Sequence, residues 1–173
     1  MKRLKNILLL LICALLFLIY FPDEKNYMPV ANATLKDWNP KSFWYYPWGR
    51  SITHKGIDIF AKKGTNVVAR TYGLVIFAGY NGIGGKAVIV LSNKLHLHYY
   101  AHLKMINTTK FTFVSAGEKM GEVGSTGNAK GKPAHLHYSI SRLIPQPMDW
   151  DFNVPQGWKK MFYIDPALNL AAK

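Results

Sequence analysis

The 173-residue chain contains one cysteine, Cys13, and only 9 acidic residues against 22 basic ones. A single thiol cannot close a disulfide within the chain, so the fold must rest on an apolar core or on a metal. The shortage of acids leaves a formal net charge of +13 and points to an anionic partner. Beyond residue 21 no stretch carries a helical apolar stripe over ten or more positions, and neither an internal repeat nor a low-complexity tract is visible, which argues against helical and repeat architectures. The glycine-rich stretch Gly124–Pro133 has no Gly-Lys-Ser/Thr ending and no helix pattern after it, which speaks against a phosphate cradle.

What is present begins with Met1-Lys2-Arg3-Leu4-Lys5-Asn6 and an apolar run of 15 residues from Ile7 to Phe21. A basic start followed by an apolar core is the pattern of an export segment. The small-x-small site Ala31-Asn32-Ala33 lies well past the end of the run, so an uncleaved anchor is the leading reading. A helix of that length spans roughly 22 Å, short of the roughly 30 Å hydrocarbon core. Lys2, Arg3 and Lys5 would hold its start on the cytoplasmic side. With those three residues set aside, 19 basic residues face 9 acids, a net +10 on the exported part. Its expected partners are lipid headgroups, teichoic acids or peptidoglycan carboxylates. Nucleic acid is excluded by export and by the lack of a recognition motif.

Residues 1–22 thus read as an anchor or signal segment, 23–36 as a proline-containing tether, and 37–173 as one domain of ordinary size. Within the domain, short runs rich in β-branched and aromatic residues alternate with glycines. Strands are expected at Gly56–Phe60, Asn66–Ala69, Gly73–Tyr80, Ala87–Leu91, Leu95–Leu103, Lys119–Val123 and Ala134–Ile140. The fold class is therefore mainly β, a compact antiparallel sheet or sandwich preceded by a hydrophobic helix. The tail from Ile144 to Lys173 has no period and is expected to wrap the sheet and cover an edge.

All six histidines fall in or beside these runs: His54, His96, His98, His102, His135 and His137. In an extended strand His135 and His137 share a face while Leu136 takes the other. His54 and Asp58, four apart with Gly56 between them, converge as well. If the two segments are neighbours, His54, Asp58 and either His135 or His137 supply three ligands to zinc and leave the fourth position open, as catalytic rather than structural sites do. Zinc lowers the pKa of water to about 7 and polarises the carbonyl under attack. Proton transfer then falls to a neutral imidazole near the metal, for which the spare histidine of the pair and His102 are available. His96 and His98 are read as part of an aromatic, half-buried strand face.

Three motifs, His54-x-x-x-Asp58, Tyr100-Ala101-His102-Leu103 and His135-Leu136-His137, together resemble the lysostaphin/LytM-type zinc endopeptidases of bacterial cell walls. Gly64-Thr65, Val67-Val68-Ala69, Gly73-Leu74-Val75 and the turn-rich run Gly117–Gly127 agree in order, so the likeness covers Trp48 to Ile140. The resemblance implies that His54, Asp58 and His137 bind zinc and that His102 and His135 are the catalytic histidines. It further implies an antiparallel β fold with the metal in a groove, and hydrolysis of peptidoglycan stem peptides or cross-bridges. Tyr138-Ser139 stands where the family commonly has Phe-Glu, and the loop before Pro133 is longer. Relatives that have lost metal ligands regulate other wall hydrolases, which makes a non-catalytic envelope module the alternative and a regulatory envelope protein a further expected partner. The membrane segment implies the periplasmic side of the inner membrane, or secretion if it is removed.

Overall fold

The computed structural model describes residues 2–19 and 27–170. Helix α1 (Lys2–Ile19) forms from the basic start and the apolar run, and its side chains from Ile7 to Ile12 are exposed. Among the described residues no helix is long and apolar enough to cross a membrane. The end of the expected apolar run and the first part of the tether, residues 20–26, lie outside the described residues.

Ten strands follow: β1 (Ile57–Phe60), β2 (Asn66–Val68), β3 (Gly73–Tyr80), β4 (Lys86–Ser92), β5 (His96–Leu103), β6 (Met105–Ile106), β7 (Phe113–Val114), β8 (Lys119–Glu122), β9 (His135–Arg142) and β10 (Tyr163–Ile164). The larger sheet runs β1-β9-β5-β4-β3-β7, with β10 also on β9; the smaller runs β2-β8-β6. Every pairing is antiparallel. The seven strands expected from the sequence are all present with ends within two residues, and β3 has the expected bounds.

Both sheets contribute to one core. Ile57, Ile59, Val75, Val88, Val90, Tyr100, Leu136 and Tyr138 from the larger sheet meet Val67 and Met120 from the smaller, all fully buried. Each such aliphatic side chain contributes about 1.5–3 kcal/mol by leaving water. The period-2 alternation puts these residues on one face and leaves the opposite face of β1, β9 and β5 for chemistry.

The boundary expected near Asp37 needs correction. Val30 is fully buried in the core and bridges to Val67, while the amides of Tyr27 and Ala31 donate to the carbonyls of Arg70 and Asn66. Residues from Tyr27 onward thus belong to the folded domain, and Ala31-Asn32-Ala33 lies inside it. One apolar residue among polar ones has no period to announce it. The C-terminal tail covers an edge as expected: β10 pairs Tyr163 with Ser141 and Ile164 with Ile140, next to β1 on the same side of β9. Arg142 holds this tail by donating to Asp149 Oδ2 at 2.6 Å and to the Tyr163 carbonyl at 3.1 Å. A short helix α2 (Pro166–Leu170) then buries Ala167 and Leu170 in the core.

Candidate metal centre and groove

The β1–β9 ladder sets the centre of the site. Asp58 lies directly across from His137 and Phe60 across from His135, while Ile57 and Ile59 face Tyr138 and Leu136 in the core. One face of two short strands therefore presents a carboxylate, two imidazoles and a phenyl ring. On the other side of β9, Ala101 stands opposite His137 and Tyr99 opposite Ser139. Tyr99 and Ala101 join the same groove, of about 710 Å³, and the Tyr99 ring lies 6.2 Å from that of His137.

His54 is not in a strand. It is fixed by backbone pairing, its amide donating to Tyr45 O at 3.0 Å and its carbonyl accepting from Trp44 N at 2.6 Å. Its ring is stacked on Trp48 at 4.1 Å between centroids. Its Nδ1 faces the Ser42 carbonyl at 3.0 Å, an acceptor, which assigns the hydrogen to Nδ1 and turns the Nε2 lone pair inward. There Nε2 lies 3.2 Å from Asp58 Oδ1 and 3.1 Å from His137 Nδ1, and the latter two atoms are 2.9 Å apart. Three donors from three parts of the chain thus converge on one point, and the three residues form a group suited to a metal ion.

His102 reaches the groove by an exception to strand alternation. His98 and Tyr100 point into the core, and simple alternation would send His102 after them. Instead His102 has φ +63, and the β4–β5 register shifts between Lys86 and Val88, so its imidazole turns into the groove. Its ring lies 5.0 Å from that of His135. His102 Nδ1 faces Thr126 O at 2.9 Å and His135 Nδ1 faces Pro133 O at 2.8 Å. Both contacts assign the hydrogen to Nδ1 and leave Nε2 as an acceptor. The glycine-rich loop before β9 therefore orients both imidazoles.

His96 and His98 stay outside the site. His98 is fully buried, with Nδ1 2.7 Å from the Tyr138 hydroxyl, and His96 lies beside it with ring centroids 6.5 Å apart. The structural reading of this pair stands.

Burial pushes the Asp58 carboxyl upward, but the hydrogen bond from His137 and the close approach of His54 outweigh it and hold the group well below the usual carboxylate range. Burial pushes His137 down, against its hydrogen bond to Asp58. Burial, then the neighbouring His137 and His135, push His102 down to about 4. At neutral pH these shifts keep a charged Asp58 carboxylate beside a neutral His137, the form that binds a cation. His137 Nδ1, Asp58 Oδ1 and His54 Nε2 lie close enough together for one divalent ion to be held by all three. Two nitrogens and one carboxylate oxygen suit zinc.

Residues 52–150 match the model of Peptidase family M23. The chain belongs to this peptidase family. An M23 relative in these terms is the L-Ala-D-Glu endopeptidase of Bacillus subtilis (strain 168), 40% identical over 114 residues that make up 61% of this chain and 34% of that protein. Lysostaphin of Staphylococcus simulans is 34% identical over 103 residues, 57% of this chain and 20% of that protein. The chain thus spans between a fifth and about a third of the length of these curated relatives. Among solved structures, the lysostaphin catalytic domain from Staphylococcus simulans superposes with a TM-score of 0.61 at 28% identity, covering 76% of this chain and 90% of that one. A zinc-containing peptidase from Vibrio cholerae gives a TM-score of 0.56 at 26% identity, over 68% of this chain and 36% of that one. M23 peptidases are zinc enzymes, and the donor set here fits zinc.

Trp48, which the sequence marked only as the start of the resemblance, and Tyr99, which it did not single out, flank the cluster. Tyr99 has a signal in hindsight, since it shares parity with Ala101 across from the His-x-His strand. Trp48 has no such signal for its contact with His54, because it lies in the loop before β1.

Proposed function

We propose that the protein is a zinc-dependent endopeptidase that hydrolyses peptide bonds in the stem peptides or cross-bridges of peptidoglycan. The convergence of His54 Nε2, Asp58 Oδ1 and His137 Nδ1 within 3.2 Å of one another carries this reading. These three residues hold the ion. When bound, zinc acidifies water and polarises the scissile carbonyl.

The chain's own residues do the rest. His135 Nε2 and His102 Nε2, left as acceptors by their carbonyl partners, take the proton from the attacking water, stabilise the developing oxyanion once protonated, and return the proton to the leaving amine. Lys55, which lines the groove, and the surplus of basic residues draw an anionic wall toward it. The envelope is the proposed location. The basic, apolar α1 supports export and residence at the inner membrane, and cell fractionation of the full chain checks that assignment.

Digestion of purified sacculi with the zinc-loaded protein should release new peptide amino termini. His137→Ala should release none. Equal release by both, or stoichiometric wall binding without cleavage by the wild type, overturns the endopeptidase reading in favour of a binding module.

A further inference from the structure

We propose that Gln156, in the C-terminal tail beyond the residues matched to the family, is a positioning residue for His54. The inference rests on the reading of His54 as a zinc ligand. His54 is the one member of the cluster outside the β ladder, so something else must fix its place. Both residues that flank it lead to the same atom: Thr53 Oγ1 donates to Gln156 Oε1 at 3.1 Å and Lys55 Nζ donates to it at 2.7 Å. Lys55 Nζ also donates to Ser51 O at 2.8 Å and to Thr53 O at 3.3 Å, and it lies 5.7 Å from the Trp44 ring centroid. Trp44, whose amide donates to the His54 carbonyl, sends its indole Nε1 to the carbonyl of Pro155, next to Gln156, at 3.1 Å. Two consecutive residues of the tail thus grip the chain on both sides of the histidine and the strand-like segment it pairs with.

The tail is built to present that amide. Gln156 sits at φ +56, in the left-handed region that favours glycine. Gly157 follows because a Cβ at that position would collide with the Asp151 carbonyl. The Gly157 amide donates to Val154 O at 3.1 Å, and Lys160 ties Asp151 at 3.0 Å. The result is a closed turn from 151 to 157 with one amide oxygen aimed at the His54 segment. Partners that orient a metal ligand typically change metal affinity 10–100-fold when removed.

Gln156→Gly separates positioning from folding, because it removes the side chain while relieving the backbone strain. In the full chain, Gln156→Gly and Gln156→Ala should bind zinc about 10-fold more weakly by chelator competition. Gln156→Gly should keep the wild-type melting temperature of the metal-free protein. Gln156→Glu, which keeps an acceptor oxygen for Thr53 and Lys55, should restore affinity to within about 2-fold. Cobalt loaded in place of zinc should show an altered visible absorption spectrum in the glycine variant and a native one in the glutamate variant. Wild-type zinc affinity in the glycine variant, or failure of glutamate to restore it, overturns the proposal. Failure of the wild type itself to bind zinc would instead overturn the zinc reading on which it rests.

Discussion

His102 stands at φ +63 next to the last residue of β5. Such a backbone costs a residue with a side chain about 1–3 kcal/mol, and here it turns an imidazole from the core into the groove. Asparagine tolerates the same backbone region. His102→Asn should therefore keep its zinc content and melt within a few degrees of the wild type, while turnover falls about 10²- to 10⁴-fold. Unchanged turnover with full zinc would remove His102 from the proton-transfer role. The same residue shapes the acid response. Its folded pKa of about 4 lies below its ordinary value of 6.5, so the unfolded chain takes the proton first as pH falls. The stability this contributes is fully present above about pH 6.5 and is lost on the way down to about 4. His137, also pushed down by burial, adds a loss of the same sign. Melting scans of chelator-treated protein should show this decline, and it should be shallower in His102→Asn. A profile flat from pH 7 to 4 would contradict the burial argument.

At the scale of elements, β9 does the organising, bordered by β1 and β10 on one side and β5 on the other. The approach of β1 to it depends on Gly56, where a Cβ would meet the Tyr138 carbonyl and come within 2.9 Å of Ser139 Cβ. Gly56→Ala should cost about 1–3 kcal/mol and weaken zinc binding, because the displaced backbone joins His54 to Asp58. Denaturant melts and chelator competition measure the two effects, and a variant native in both would show slack at the start of β1. Much of this was legible in the sequence. Strict alternation marks the buried side of β9, and glycines bound β3 closely enough to fix its ends. The strands β6, β7 and β10 were not legible, since two residues carry no period. The turn of His102 was not legible either, because a positive φ at a histidine leaves no mark in a pattern of apolar and polar residues. Nor was the role of Gln156, which depends on a contact 103 residues away from Thr53.

For the molecule as a whole, the metal and the fold are coupled. The proposed ligands come from the loop before β1, from β1 and from β9, so an ion bound by them in the folded state alone would stabilise all three together. Free zinc at 100 times its dissociation constant should add about 2.7 kcal/mol, and a chelator should lower the melting temperature by the corresponding amount. His137→Ala should melt at the same temperature with and without zinc. A wild type insensitive to zinc would place the ion, if any, outside these residues.

The two faces of β9 carry separate information. His135, His137 and Ser139 line the groove, while Leu136, Tyr138 and Ile140 are buried on the core side. Substitutions at Phe60, across from His135 and half exposed, can therefore reshape what the groove admits without disturbing the core packing that holds it open. The β1–β9 pair thus offers ligand preference and stability as separately adjustable properties, set on its two opposite faces.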